Sequence, residues 1–238
     1  MKIGILETGH VPEPLSDAHG DYPGMFERLL RTADPALEFA VYHVTEEQLP
    51  GDVDECDAWL VTGSRHGVYD TLPWIEPLKR FLERAYEAGV PIVGICFGHQ
   101  VLAEALGGRA AKSDKGWGLG VSRYAIHRKA DWMTGVDGEF SLNALHQDQV
   151  IELPADAEVL AGSDFCPYAV LAYSGNAISI QPHPEFPTAY LRDLIEHRRT
   201  TTLSDPVADA GLASLDQPIH ARQVAEWIVN FLKERTHA

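Results

Sequence analysis

The sequence predicts an α/β fold, an open and mostly parallel sheet flanked by helices, with some antiparallel strands in the second half. Two observations lead there. In the first half, short apolar runs of β-forming residues alternate with longer segments of helical periodicity, the pattern of parallel strands joined by crossover helices. Between residues 118 and 180 the helical segments give way to closely spaced short strands. The length agrees, because 238 residues are enough for one large α/β domain with a sizeable core.

Residues 2–6 run Lys-Ile-Gly-Ile-Leu and form the first strand. Residues 8–21 are rich in Gly, Pro, His and Asp and read as a loop at the carboxyl edge of the sheet. Residues 22–31 read as a helix, since Met25, Phe26, Leu29 and Leu30 recur at helical spacing. Strands follow at 39–44 and 57–61, then a helix at 74–88 that Gly89 ends. The apolar run 90–93 enters a glycine-framed turn and a helix closed by Gly107 and Gly108. Short strands are expected at 120–127, 140–145, 158–163, 168–173 and 177–180. Residues 186–199 read as a helix and 200–214 as a polar, mixed segment. A last helix covers 219–232, with Val224, Trp227, Ile228 and Phe231 on one face. The whole reads as a single domain over 1–238, with a core of about 1–190 and a C-terminal helical extension of about 190–238.

The turn is Gly94-Ile95-Cys96-Phe97-Gly98-His99-Gln100. A cysteine on a tight turn between a buried strand and a helix is held where a substrate reaches it, and the flanking glycines allow the sharp turn and close packing. The positive end of the following helix favours a thiolate. Cys96 is therefore a candidate nucleophile. Such a nucleophile needs a base, and the base needs an orienting partner. Strand 177–180 runs into Gln181-Pro182-His183-Pro184-Glu185-Phe186. The two prolines restrict the backbone around His183, and Glu185 lies two residues on. Cys96, His183 and Glu185 fit a Cys-His-Glu triad. Cys56 and Cys166 lack such frames and read as buried structural residues.

These two motifs, in this order, resemble the class I glutamine amidotransferases over about the first four-fifths of the chain. The resemblance implies a flavodoxin-like class I fold, Cys96 as nucleophile, His183 as general base and acid, Glu185 as orienter, and a γ-glutamyl thioester intermediate. Thr62-Gly63-Ser64-Arg65-His66-Gly67-Val68-Tyr69-Asp70 is similar to the family's oxyanion loop, with Ser64 and Arg65 replacing its usual Gly and Pro. It implies an oxyanion hole built by backbone around Gly63 and Ser64 and by the amide of Phe97. Leu145-His146-Gln147-Asp148-Gln149-Val150 resembles the stretch beside the amino-acid end of the substrate. With it, Gln100, His146 and Asp148 are implied substrate-binding residues. His66 faces either substrate or solvent, and His99 belongs to helix packing. His146 and Asp148 read as a metal pair only if further ligands of suitable spacing exist, and none does; no metal or organic cofactor is expected.

The chain continues past the His-Pro-Glu motif for a loop and a helix. That layout is similar to stand-alone members of the family, a group that includes γ-glutamyl peptidases, as well as to the GMP synthase amidase domain. Two leaving groups stay open. One is ammonia from glutamine, passed to an acceptor through a separate synthetase subunit; the other is the amine of a γ-glutamyl peptide or γ-glutamyl amine, released by an enzyme acting alone. An intact Cys96, His183 and Glu185 argue against a binding protein that keeps the fold without turnover.

Charge and composition narrow the classes. A net charge of −16 argues against a nucleic-acid surface, which needs clustered Lys and Arg. No stretch is long and apolar enough to span a membrane, and the N-terminus enters a strand directly without a signal-peptide apolar region. Three cysteines, one of them a candidate nucleophile, suit a reducing compartment rather than a disulfide framework, so the expected location is cytoplasmic.

Overall fold

The computed structural model describes residues 1–174, 176–199 and 201–236. In chain order the strands are β1 (Lys2–Glu7), β2 (Glu38–His43), β3 (Ala58–Val61), β4 (Ile92–Ile95), β5 (Arg109–Lys112), β6 (Gly118–Ile126), β7 (Glu139–His146), β8 (Asp148–Glu152), β9 (Ala157–Gly162), β10 (Val170–Tyr173) and β11 (Ala177–Ile180). The helices are α1 (Glu13–His19), α2 (Tyr22–Arg31), α3 (Ile75–Glu87), α4 (Phe97–Ala105), α5 (Thr188–Arg199), α6 (Asp205–Ser214) and α7 (Ala221–Thr236).

The large sheet has the order β2-β1-β3-β4-β11-β10-β9-β6-β7. Its first five strands pair in parallel. The remaining strands, β10, β9, β6 and β7, continue it in antiparallel pairing. This is the α/β sheet expected, with the antiparallel additions in the second half. The parallel half is covered on both faces, which is why strands such as Ala58–Val61 and Ile92–Ile95 are buried at every position. Phe26 and Leu30 of α2 and Val224 to Leu232 of α7 pack with Ile3, Ile5, Leu60, Val93 and Ile95 on one face. Ile75, Leu78, Phe81 and Leu82 of α3 and Val101 and Leu102 of α4 pack with Leu6, Trp59, Val61 and Ile92 on the other.

The structure corrects the reading in three places. Residues 8–21 are not all loop, because α1 occupies 13–19. Pro14 falls in the first turn of that helix, where a missing N–H costs nothing. The polar segment after α5 contains α6, started from Ser204 with Pro206 again in the first turn. α6 lies on β6, where Ser214 Oγ accepts from the Val121 amide at 2.8 Å. Residues 200, 237 and 238 of the expected C-terminal extension lie outside the described residues. Third, β5 and β8 form a separate two-stranded antiparallel sheet that periodicity did not reveal. Elsewhere the differences are boundary shifts of a few residues; helix 22–31 and strand 177–180 stand where expected. The Asp21 carboxylate caps α2 by accepting from the Gly24 amide at 2.8 Å.

Candidate active site

In an open α/β sheet, ligands bind beyond the carboxyl ends of the parallel strands. β1, β3, β4 and β11 present Thr8, Thr62 to Ser64, Cys96 and Gln181 to Glu185 there. Cys96 joins β4 to α4 with φ 54° and ψ −100°, a conformation that a side chain strains. Neighbours hold it. The Cys96 amide donates to Ile180 O at 2.9 Å, and Cys96 O accepts from the Gln100 amide at 3.1 Å. The glycine frame explains how α4 sits so close to the sheet. A Cβ on Gly94 would collide with the Gly98 carbonyl, and one on Gly98 with the Val61 carbonyl. Cys96 itself is buried, with 5% of its surface exposed.

β11 pairs with β4 in register, Ile180 against Ile95, so the His183 turn leaves the sheet beside the Cys96 turn. His183 and Glu185 are both buried, and His183 Nδ1 donates to Glu185 Oε1 at 2.7 Å. The turn is clamped to β7: the His183 amide donates to Asn143 O at 2.7 Å, and Asn143 Nδ2 donates to Phe186 O at 2.9 Å. The Phe186 ring stacks on the imidazole, with centroids 3.8 Å apart. Burial alone would keep the imidazole neutral; the Glu185 carboxylate and the Cys96 side chain beside it outweigh that and push its pKa up to about 10. Gly63 borders both groups. A Cβ there would meet His183 Cε1 at 2.9 Å and Cys96 Cβ at 3.6 Å.

Gly63 and Ser64 follow β3, whose last turn is tied to α4 by a bond from the Gly98 amide to Thr62 O at 3.1 Å. Phe97, the first residue of α4, starts beside them, and as an opening helical residue its N–H has no partner within the helix. Ser64 Oγ accepts from the His66 amide at 3.2 Å. His66 turns to Asp70, 3.4 Å away, and packs edge-on to Trp74.

The expected substrate-binding residues also gather here. Gln100 is buried and its Nε2 donates to Asp148 O at 3.0 Å and to Gln181 Oε1 at 3.1 Å. His146 Nδ1 donates to Asp148 O at 3.1 Å, while its buried Nε2 has no partner among the described residues. Burial chiefly holds His146 neutral, its pKa lowered to about 4. The Asp148 carboxylate accepts from the Tyr69 hydroxyl at 2.9 Å, which joins the loop after β3 to the β7–β8 corner. Burial raises the Asp148 pKa, and that hydrogen bond opposes the rise. His99 bonds Ser179 Oγ at 2.7 Å inside the fold, as a packing residue does. Among the described residues no three His, Cys, Asp or Glu side chains are grouped to hold a metal ion, and no helix is long and apolar enough to cross a membrane.

Asn143 escaped the sequence reading, and Tyr69 and Gln181 stood in its quoted motifs without a role. Asn143 lies inside a short apolar strand, with nothing local to mark its contact with a residue 40 positions away. Phe186 stood in the quoted motif without a role.

Residues 16–194 match the model of the family Glutamine amidotransferase class-I. γ-Glutamyl peptidase 3 of Arabidopsis thaliana is 27% identical over 184 residues, covering 74% of this chain and 74% of its own. The glutamine-hydrolysing GMP synthase of Aquifex aeolicus is 42% identical over 104 residues, covering 43% of this chain and 20% of its own. The crystal structure of a glutamine amidotransferase from Thermotoga maritima has the same fold, with a TM-score of 0.78 at 19% identity over 99% of this chain and 97% of that one.

Proposed function

The chain belongs to the class-I glutamine amidotransferase family, and from that premise we propose that it hydrolyses a γ-glutamyl amide through a thioester on Cys96. The observation that carries this reading is His183, buried, bonded to Glu185 at 2.7 Å and raised in pKa by Glu185 and by the Cys96 side chain beside it. His183 takes the thiol proton and leaves a thiolate. The thiolate attacks the γ-carbonyl carbon, and the carbonyl π electrons move to oxygen. Backbone N–H groups at Ser64 and Phe97, with Gly63 between the loop and the catalytic pair, hold that oxyanion. The tetrahedral intermediate collapses, the C–N bond breaks, and His183 protonates the departing amine. Water, deprotonated by His183, then attacks the γ-glutamyl thioester and releases glutamate. Gln100, His146 and Asp148 hold the amino-acid end. The chemistry uses no metal or organic cofactor. The domain is single, and the site of action is the cytoplasm.

The geometry supports glutaminase-type chemistry, whether or not a separate synthetase subunit takes the ammonia. A second reading has a larger leaving group, an amino acid or amine, and a protein that acts alone. It is favoured by the match to γ-glutamyl peptidase 3, which spans three-quarters of both chains, whereas the GMP synthase match spans a fifth of that enzyme. The test is steady-state hydrolysis by the isolated protein of glutamine and a panel of γ-glutamyl dipeptides and amines, with Cys96→Ala as blank. Faster cleavage of peptides or amines than of glutamine selects the second reading. Glutamine cleavage alone selects the first. Equal turnover by Cys96→Ala would overturn both.

A further inference from the structure

Four groups surround the peptide that joins Gly63 to Ser64. The Thr8 amide donates to Thr62 Oγ1 at 3.0 Å, which leaves the Thr62 hydroxyl proton to donate to Gly63 O at 3.2 Å. The Thr8 hydroxyl lies 2.9 Å from Thr62 O and 3.2 Å from Gly63 O, in reach of both. Thr8 and Thr62 are both fully buried. Gly9 packs against the same carbonyl, since a Cβ there would stand 3.0 Å from Gly63 O and 3.0 Å from Ser64 Cα. In a low-dielectric interior an unmade hydrogen bond is expensive, so two buried hydroxyls fix the direction of the carbonyl they serve.

All peptide bonds described are trans. In a trans peptide the N–H points opposite to the C=O. With Gly63 O turned to the threonines, the Ser64 N–H faces away from them. Gly63 itself borders Cys96 and His183: a Cβ on it would stand 3.6 Å from Cys96 Cβ and 2.9 Å from His183 Cε1. Among the described residues neither the Ser64 nor the Phe97 amide has an acceptor. We propose that Thr8 and Thr62 are positioning residues that lock the Gly63–Ser64 peptide with its N–H toward the thiol, so that the oxyanion hole stands assembled in the free protein and needs no partner to order it. This rests on the γ-glutamyl reading above and adds its regulation: activity is constitutive. Turning the peptide over would strip Gly63 O of its hydroxyl donors and drive it toward the catalytic pair. Serine at position 64, where the family has glycine, is compatible with a peptide that does not turn.

The test compares wild type, Thr62→Val, Thr62→Ser and Thr8→Val. Valine keeps the shape of threonine and removes the hydroxyl. Three rates are read on the isolated protein: turnover of the best γ-glutamyl substrate, alkylation of Cys96 by a glutamine-analogue chloroketone, and alkylation by iodoacetamide. The chloroketone reacts through a tetrahedral oxyanion, whereas with iodoacetamide the thiolate displaces iodide directly at carbon. Loss of one oxyanion donor typically costs about 100-fold, and Thr62→Val is expected to lose about tenfold or more in turnover and chloroketone labelling. KM and iodoacetamide labelling should stay within about twofold, and Thr62→Ser should restore most of the rate. A thermal melt of each variant separates misfolding from loss of the lock, because a misfolded site also alters iodoacetamide labelling. If wild type turns over and both valine variants match it, the lock is wrong while the γ-glutamyl reading stands. If Cys96→Ala turns over as fast as wild type, or wild type cleaves no γ-glutamyl substrate even with a partner added, the γ-glutamyl reading fails and takes this proposal with it. Turnover that appears only after a partner is added would refute the assembled hole alone.

Discussion

The ring of Phe186 lies flat on the imidazole of His183, the planes 5° from parallel and the centroids 3.8 Å apart. Tyr22 stacks on the outer side of Phe186, and Tyr190 meets it edge-on. The histidine is thus held by a wall of rings on one side and a carboxylate at its Nδ1. An aromatic contact of this kind contributes about 0.5–1.5 kcal/mol beyond its buried area.

Phe186→Leu should keep the fold and lower kcat by about 3- to 10-fold, with KM little changed. Asn143→Ala should act in the same direction and also lower the unfolding free energy by about 1–3 kcal/mol, since the buried Phe186 carbonyl loses its donor. Denaturant unfolding alongside steady-state kinetics checks both. Unchanged kcat in a folded Asn143→Ala would show that the clamp on β7 does not set the histidine.

The backbone of Cys96 carries strain that a glycine would not feel. Cys96→Gly and Cys96→Ala should both be inactive. The glycine variant should nevertheless be the more stable of the two, by about 1 kcal/mol or more. Chemical denaturation of the pair measures this, and an alanine variant as stable as the glycine one would mean that the turn is relaxed.

Protonated His183 is favoured in the fold, its pKa raised from 6.5 to about 10. The sign follows from linkage: its contribution to stability is complete below about pH 6.5 and is lost as pH climbs through 10. If the charged pair of His183 and Cys96 is the reactive form, kcat/KM should stay level through neutral pH and fall as pH nears 10. Glu185→Gln removes the largest favourable influence on the imidazolium, so its alkaline limb should move to lower pH and its stability at pH 7 should drop. A limb that does not move would remove Glu185 from this role.

His146 and His99 behave in the opposite sense. Burial holds both neutral, with pKa values lowered to about 4 and about 3. The unfolded chain takes up these protons below about pH 6.5, whereas the fold refuses them until near 4. Stability should therefore be intact above 6.5 and decline below it, by up to about 1.4 kcal/mol per pH unit for each histidine. Unfolding free energies at pH 7.5, 6 and 5 should show the decline, and His146→Gln should make it shallower. A slope unchanged in that variant would point to other groups.

The parallel half of the sheet was legible because its signals are local. Val90 to Val93 is an unbroken apolar run, Gly94 and Gly98 frame Cys96, and two prolines fence His183 beside Glu185. Each feature lies within a few residues and follows from backbone freedom, periodicity or the reach of a side chain. The helices α1 and α6 were missed because neither carries the apolar face that marked α2: no residue of α1 is buried, and in α6 only Ala208 and Gly211 are.

By itself, the sequence determined the order of strands and helices in the core, the strand–turn–helix that carries Cys96, and the short His-x-Glu segment. Tertiary structure alone decided which distant groups meet. β5 found β8 across about 40 residues, Thr8 found Thr62 across 54, and Asn143 closed on Phe186 across 43. Those contacts depend on the register and twist of a sheet assembled from segments far apart in the chain. Hydrophobic burial drives that assembly without direction; the direction comes from buried polar groups that must each find a partner, and no local pattern names the partner in advance.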